Sequence, residues 1–276
     1  MPALSLHDFD ADGDADLYAV AREEIFVFPL ENGRFREKAG FRRVYRILTP
    51  AEAKAGNMNV AATVRDLDGD GHGDFVLSKF GGGLRDYQTE IRVFRGGAGG
   101  LPADPTYTLK TKGFSGSLEF PDADGDGKSD LVSPSVEITV LALIKFFTTK
   151  RVRIDYNLYR CGGASLYSLK PDYGTSVTFD LDDTGNFGVT GVPPFFGNDF
   201  DGDGKPDLLR GTDRDEIGVF LGTGGAAFAD DPAWNASLTA PQQIVIDDLQ
   251  RDGRADIILW YLRPEREGEI RVLIAR

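Results

Sequence analysis

Apolar residues along this chain come in short alternating runs, never in long blocks. One run recurs five times: Glu24-Ile25-Phe26-Val27-Phe28, Glu90-Ile91-Arg92-Val93-Phe94, Glu137-Ile138-Thr139-Val140-Leu141, Glu216-Ile217-Gly218-Val219-Phe220 and Glu269-Ile270-Arg271-Val272-Leu273. Its period of two and its β-branched content predict a strand with one face buried. Val152, Ile154, Tyr156 and Leu158 alternate in the same way and predict a further strand within 151–160. The run Val136 to Phe147 fits either period, since Val136, Val140, Leu143 and Phe147 also share a helical face; register with the other four copies predicts a strand at its start. One short helix is predicted where Thr49-Pro50-Ala51-Glu52 has capping-box spacing, with Pro at the first helical position and Gly56 as the stop. Gly-rich turns, such as Gly96 to Gly100 and Gly222 to Gly225, punctuate the rest, so the predicted class is all-β.

A nine-residue polar pattern, D-x-D-x-D-G-x-x-D, precedes each recurring run. Its copies span Asp8 to Asp16, Asp66 to Asp74, Asp122 to Asp130, Asp199 to Asp207 and Asp248 to Asp256, and only the last is degenerate, with Gln250 at its third position. Successive copies start 49 to 77 residues apart, which suits a unit of about four short strands, the size of a propeller blade. Each unit is expected to run strand, Asp loop, strand, turn, E-I-x-V strand, Gly-rich turn and outer strand. The predicted organisation is a single β-propeller domain over 1–276, with units at about 1–57, 58–115, 116–194, 195–240 and 241–276 and an insertion within 142–192. The last unit stops soon after its E-I-x-V strand, so five recognisable blades imply an incomplete propeller or part of a larger one.

The loop pattern has a chemical reading. A hard divalent cation takes six to eight oxygen ligands, and carboxylates at alternate positions of a tight turn converge on one centre. Positions 1, 3 and 5 supply side chains, Gly at 6 permits the sharp turn, position 7 offers its backbone carbonyl, and the Asp at 9 closes the site. The candidate ligands are therefore Asp8, Asp10, Asp12, Asp14 and Asp16; Asp66, Asp68, Asp70, His72 and Asp74; Asp122, Asp124, Asp126, Lys128 and Asp130; Asp199, Asp201, Asp203, Lys205 and Asp207; and Asp248, Gln250, Asp252, Arg254 and Asp256. Asp14, His72, Lys128, Lys205 and Arg254 enter this set through the backbone carbonyl alone, and the His72 ring is expected to face solvent. Oxygen-only ligation favours Ca²⁺ over zinc or copper. A single Asp-Gly run is an ordinary solvated turn, but five in register concentrate mutually repelling carboxylates that a cation would compensate. Four to five Ca²⁺ ions are expected; five would bring the formal net charge from −13 to −3. Asp180 to Gly188 reads as a sixth, decayed loop set in an outer-strand turn, since Gly188 stands where the closing Asp belongs.

Composition narrows the classes further. A net charge of −13 argues against a nucleic-acid partner, which needs clustered Lys and Arg. The single Cys161 excludes an internal disulfide framework and a cysteine-based zinc site. No apolar stretch reaches the ~20 residues of a membrane span, and no export signal is visible after Met1. Neither a Ser-His-Asp set nor a phosphate-binding or dinucleotide fingerprint is present. Carboxylates outside the loops, among them Glu23, Glu119, Asp155 and Asp172, show no pattern that separates them from surface charges. Tyr87, Tyr107, Tyr156, Tyr159, Tyr167, Trp234 and Trp260 are candidate glycan-binding aromatics, most of them expected in the core.

The Asp loops, the strand that follows each, and the fourth unit's Val219-Phe220-Leu221-Gly222 together resemble the FG-GAP/VCBS repeats. That resemblance, which extends over nearly the whole chain, implies a calcium-stabilised propeller like those of integrin α-subunit heads and bacterial surface proteins. It implies a non-catalytic adhesion or recognition module outside the cell or at its surface, binding a protein or glycan, with the remaining blades supplied by a larger chain or another subunit. The alternative is a propeller-fold carbohydrate-active enzyme, a polysaccharide lyase or glycosidase, which a deep axial pocket with uncoordinated carboxylates would distinguish.

Overall fold

The alternating runs form antiparallel sheets, and the fold is all-β, as the pattern predicts. The computed structural model describes residues 3–83, 87–115, 117–163, 165–181, 189–213, 215–238, 241, 243–261 and 268–276. The chain divides into two compact units: Met1–Leu118 with Glu137–Val140 and Cys161–Leu169, and Glu119–Val136 with Leu141–Arg160 and Lys170–Arg276.

In the first unit, β1 (Ala3–His7), β2 (Asp16–Ala21), β3 (Glu24–Phe28) and a later strand form one sheet; β4 (Leu30–Glu31) and β5 (Arg34–Phe35) make a small hairpin that leads into β6 (Phe41–Val44), the outer strand. After α1 (Pro50–Ala55), a second sheet has the order β7 (Met58–Arg65), β8 (Asp74–Gly81), β9 (Gln88–Phe94) and β10 (Tyr107–Lys112). Both sheets run strand, Asp loop, strand, E-I-x-V strand, outer strand. Pairing of Leu17 with Phe28 and Tyr18 with Val27 sets alternate side chains on opposite faces. Tyr18, Val20, Ile25 and Val27 pack with Val64, Phe75, Leu77 and Phe94 of the second sheet in one core. The capping box at α1 forms as predicted: Thr49 Oγ1 accepts from Glu52 N, Glu52 accepts from Thr49 N, and Gly56 takes the left-handed cap.

A buried charge cluster fixes α1 to the second sheet. Lys79 of β8 is 4% exposed, and its Nζ lies 2.9 Å from both Glu52 carboxylate oxygens and 3.5 Å from Glu90 Oε2 on β9. Burial alone would raise both carboxyls. The cations Arg92, Lys79 and Lys110 on Glu90, and Lys79 with Thr49 on Glu52, hold them below the usual carboxylate range instead. Groups with depressed folded values add stability that is present above the unfolded value of ~4.3 and is lost as pH falls through the folded one. Lys79→Met is therefore expected to cost about 3 kcal/mol near neutral pH, because Glu90 loses a buried partner, and to shrink the loss of stability below about pH 4. Urea unfolding at both pH values checks this.

In the second unit a third sheet has the order β11 (Leu131–Ser135), β12 (Arg151–Tyr159), β13 (Tyr173–Leu181) and β14 (Val189–Thr190), with α2 (Val140–Thr149) between β11 and β12. Glu119, in an antiparallel bridge with Val132, stands where the first strand stands in the other sheets. Here the sequence reading needs correction: Glu137 to Leu141 is not a strand. The further strand expected within 151–160 fills the place beside β11, pairing Leu131 with Tyr159, a place the E-I-T-V-L segment therefore does not take. A run of Val, Leu, Ala, Ile, Lys and Phe without Gly or Pro winds into α2. None of its residues is buried.

The fourth sheet has the order β15 (Phe195–Asn198), β16 (Asp207–Asp213), β17 (Glu216–Phe220) and an outer strand; the Gly-rich turn after β17 is itself a hairpin of β18 (Gly222–Gly224) and β19 (Ala227–Phe228), ahead of the outer β20 (Trp234–Ser237). A fifth sheet joins β21 (Gln243–Asp247), β22 (Asp256–Tyr261) and β23 (Glu269–Leu273). Neighbours Leu208 and Leu209 on β16 face opposite cores. Leu208 packs with Val132, Leu158 and Phe179 of the third sheet, and Leu209 joins the cluster that holds Ile257, Leu259 and Tyr261 of the fifth. Among the described residues no helix is long and apolar enough to cross a membrane.

Candidate metal centres

Each Asp loop joins the first two strands of its sheet, or follows Glu119 in the third, and the five share one hydrogen-bond plan. The position-1 carboxylate folds back over its own turn: Asp8 accepts from Ala11 N at 2.7 Å and Gly13 N at 3.0 Å. Asp66, Asp122 and Asp199 repeat both bonds, and Asp248 accepts from Asp252 N and Gly253 N. The Asp at position 5 accepts from the N–H of position 7 in every copy, as Asp12 does from Asp14. Position 6 needs its glycine, with φ between +81° and +90° at Gly13, Gly71, Gly127, Gly204 and Gly253. Position 4 is left-handed too, at Ala11, Gly69, Gly125, Gly202 and Arg251.

Among the described residues the position-9 aspartates, Asp16, Asp74, Asp130, Asp207 and Asp256, are the most buried acids, at 0–1% exposed. One oxygen of each accepts from the N–H of position 2: Phe9, Leu67, Ala123, Phe200 and Leu249. The other oxygen of Asp16, Asp74, Asp207 and Asp256 accepts from a backbone N–H just beyond the E-I-x-V strand, at Leu30, Gly96, Gly222 and Ala275. This second bond ties the loop to the far end of its sheet, a role the sequence reading missed because it gave the residue only to a metal. Each carboxylate oxygen retains a second lone pair for a cation.

In four loops three carboxylates offer oxygens within 4.8 Å of one another: Asp8, Asp10 and Asp16; Asp66, Asp68 and Asp70; Asp122, Asp124 and Asp130; Asp199, Asp201 and Asp203. Positions 1 and 3 are common to all four, joined by 9 or 5. Among the described residues no such trio forms in the fifth loop, where Gln250 replaces an Asp. The electrostatics fit a cation. Burial pushes Asp74 up to about 7, with Asp68 and Asp70 adding to the effect against the pull of the Leu67 and Gly96 N–H groups. Burial raises Asp207 in the same way, whereas the Asp68 carboxylate already meets the Arg95 guanidinium. Clustered, partly desolvated carboxylate oxygens are the donor set that hard divalent ions take.

Other sequence candidates are placed as follows. His72 is half-buried, and its ring Nδ1 lies 2.9 Å from the Asp8 carbonyl oxygen, where the first and second loops meet in a parallel bridge. Of the decayed loop, Asp180 lies on β13 and pairs with Arg151 at 2.8 Å, and 182–188 fall outside the described residues. Glu23 accepts from Ile47 N and Leu48 N, Asp172 from Arg160 N, and Asp155 pairs with Arg153. Burial raises Glu119. Tyr107, Tyr156, Tyr159 and Tyr167 are core residues, whereas Trp234 and Trp260 are 42% and 41% exposed. Trp234 lines a cleft of about 660 Å³ between the fourth and fifth sheets, with Leu221, Ile257 and Ile274, and that cleft carries one acidic side chain, Asp201.

Comparison with known proteins agrees with this geometry. The FG-GAP-like repeat profile matches residues 8–77, 66–133 and 199–259, each match opening on the first residue of an Asp loop. No curated protein matches the sequence. Among solved structures the chain is similar to that described as "Crystal structure of BBS1N in complex with ARL6DN, soaked with lead", at 11% identity and a TM-score of 0.43 over 98% of this chain and 65% of that one. The chain thus spans slightly less than two thirds of that chain's length. With more than half of its residues under the family's profile, the chain belongs to the FG-GAP-like repeat family.

Proposed function

We propose that this chain is a calcium-stabilised recognition module, its sheets serving as blades of a β-propeller and its loop surfaces binding a protein or glycan outside the cell or at its surface. The observation that carries the proposal is the recurrence of converging carboxylates at equivalent positions in four loops. Calcium, when bound, offsets the repulsion within each loop and couples folding to cation concentration. The protein's own part is positional. Position 1 holds the turn closed, position 6 reverses it, and position 9 fastens it to the sheet end. Within the first unit the first two loops touch through His72, and within the second Gly125 lies against Pro206 and Gly202 against Arg254, so consecutive loops line one end of their sheets. Loops so held are the expected carriers of specificity.

The reading as a carbohydrate-active enzyme is less well supported, because the cleft beside Trp234 offers a single carboxylate where glycoside hydrolysis uses two. Elemental analysis of the whole chain, dialysed separately against calcium and against magnesium and then desalted, tests the proposal. About four calcium ions per chain and little magnesium are expected, by count of the complete loops. A chain that retains neither ion contradicts it.

A further inference from the structure

The residue that ends each E-I-x-V strand, or β12 in its place in the third sheet, is paired with the residue after the position-9 Asp: Phe28 with Leu17, Phe94 with Phe75, Tyr159 with Leu131, Phe220 with Leu208 and Leu273 with Ile257. The next residue therefore occupies one equivalent place beside every loop. It is Pro29, Arg95, Arg160, Leu221 and Ile274. Only the second and third loops receive a charge there. Arg95 forms an ion pair through Nε with Asp68, and its NH2 lies 3.7 Å from Asp70 Oδ2. Arg160 Nε donates to Asp124 Oδ2 at 2.6 Å. Asp68 and Asp124 are both position-3 carboxylates, with side chains 7% and 2% exposed, while their counterparts Asp10 and Asp201 in the first and fourth loops are open to solvent.

We propose that Arg95 and Arg160 are built-in counter-ions that make the second and third loops weak cation sites and leave the first and fourth as the tight ones. The inference rests on the calcium reading above. A guanidinium on the position-3 carboxylate holds part of the charge that would attract a divalent ion, and the two cations repel across a few ångströms with little water between them. A loop so compensated keeps its shape without metal. The open loops have no guanidinium on position 3; in the fourth, Lys205 Nζ pairs instead with Asp203 at position 5, where both side chains are exposed and water screens the pair, so these loops depend on the ion.

Calcium titration of the full chain by calorimetry is expected to resolve two tight sites and two that are about tenfold or more weaker. In the double variant Arg95→Leu/Arg160→Leu, which installs the residue of the fourth loop, the weak pair should tighten by about tenfold. Leu221→Arg is the reciprocal variant, and decides alone should the first not fold: it should leave one tight site. Sites whose affinities stay unchanged in both variants overturn the counter-ion role and leave the calcium reading intact. Absence of calcium binding from wild type and variants overturns both.

Discussion

Asp256→Ala is expected to destabilise the chain by about 3 kcal/mol or more, equally in calcium and in chelator. Asp256 is 1% exposed and accepts from Leu249 N at 3.1 Å and Ala275 N at 2.9 Å. Alanine removes both acceptors of these part-buried bonds, each N–H left unpaired away from water costs ~1–3 kcal/mol, and the fully buried side chain leaves a void. No carboxylate trio forms around Asp256 among the described residues, so the loss should not depend on metal. Asp207 makes the same two bonds, to Phe200 N and Gly222 N, in a loop whose Asp199, Asp201 and Asp203 do converge. Asp207→Ala should therefore lose more in calcium than in chelator. Urea unfolding in both conditions separates the two roles, and an Asp256→Ala chain as stable as wild type would show that these carboxylate bonds contribute little.

Much of this architecture was legible in the chain because each feature repeats. The E-I-x-V strands, the Asp loops and the glycine at position 6 each rest on a local rule, period two or a left-handed turn, that a sequence displays directly. The third unit was misread where the local signal was double: Val136 to Phe147 fits both periods, and only the pairing of Arg151–Tyr159 with Leu131–Ser135 decides that Glu137 to Leu141 is no strand and that α2 starts at Val140. Position 4 left a trace in Gly69, Gly125 and Gly202, hidden by Ala11 and Arg251. The backbone bonds of the position-9 aspartates left none, since N–H donors have no residue type. Arg95 directly follows its E-I-x-V run, but Arg160 becomes visible only when strand register aligns it with the others, which spacing alone does not do across an insertion such as α2. The contact of the His72 ring left no trace because the Asp8 carbonyl that meets it lies 64 residues away in the chain.

Removal of calcium should produce the largest change of all. A ligand at a hundredfold excess over its Kd contributes ~2.7 kcal/mol per site, so the two open loops alone supply about 5 kcal/mol, and a chain of this size shifts by ~2–4 °C for each kcal/mol. The chelator-treated chain should melt about 10 °C or more below the calcium-loaded one. The first and fourth loops should loosen most, because in the second and third Arg95 and Arg160 stay on their carboxylates.

The most direct test of the central claim, that these loops hold calcium and tie it to the fold, is thermal unfolding of the full chain in chelator, then with calcium or magnesium added back. The account predicts a rise of about 10 °C or more with calcium and a much smaller one with magnesium. A melting curve that is the same in chelator and in calcium would contradict it and leave the Asp loops as solvated turns.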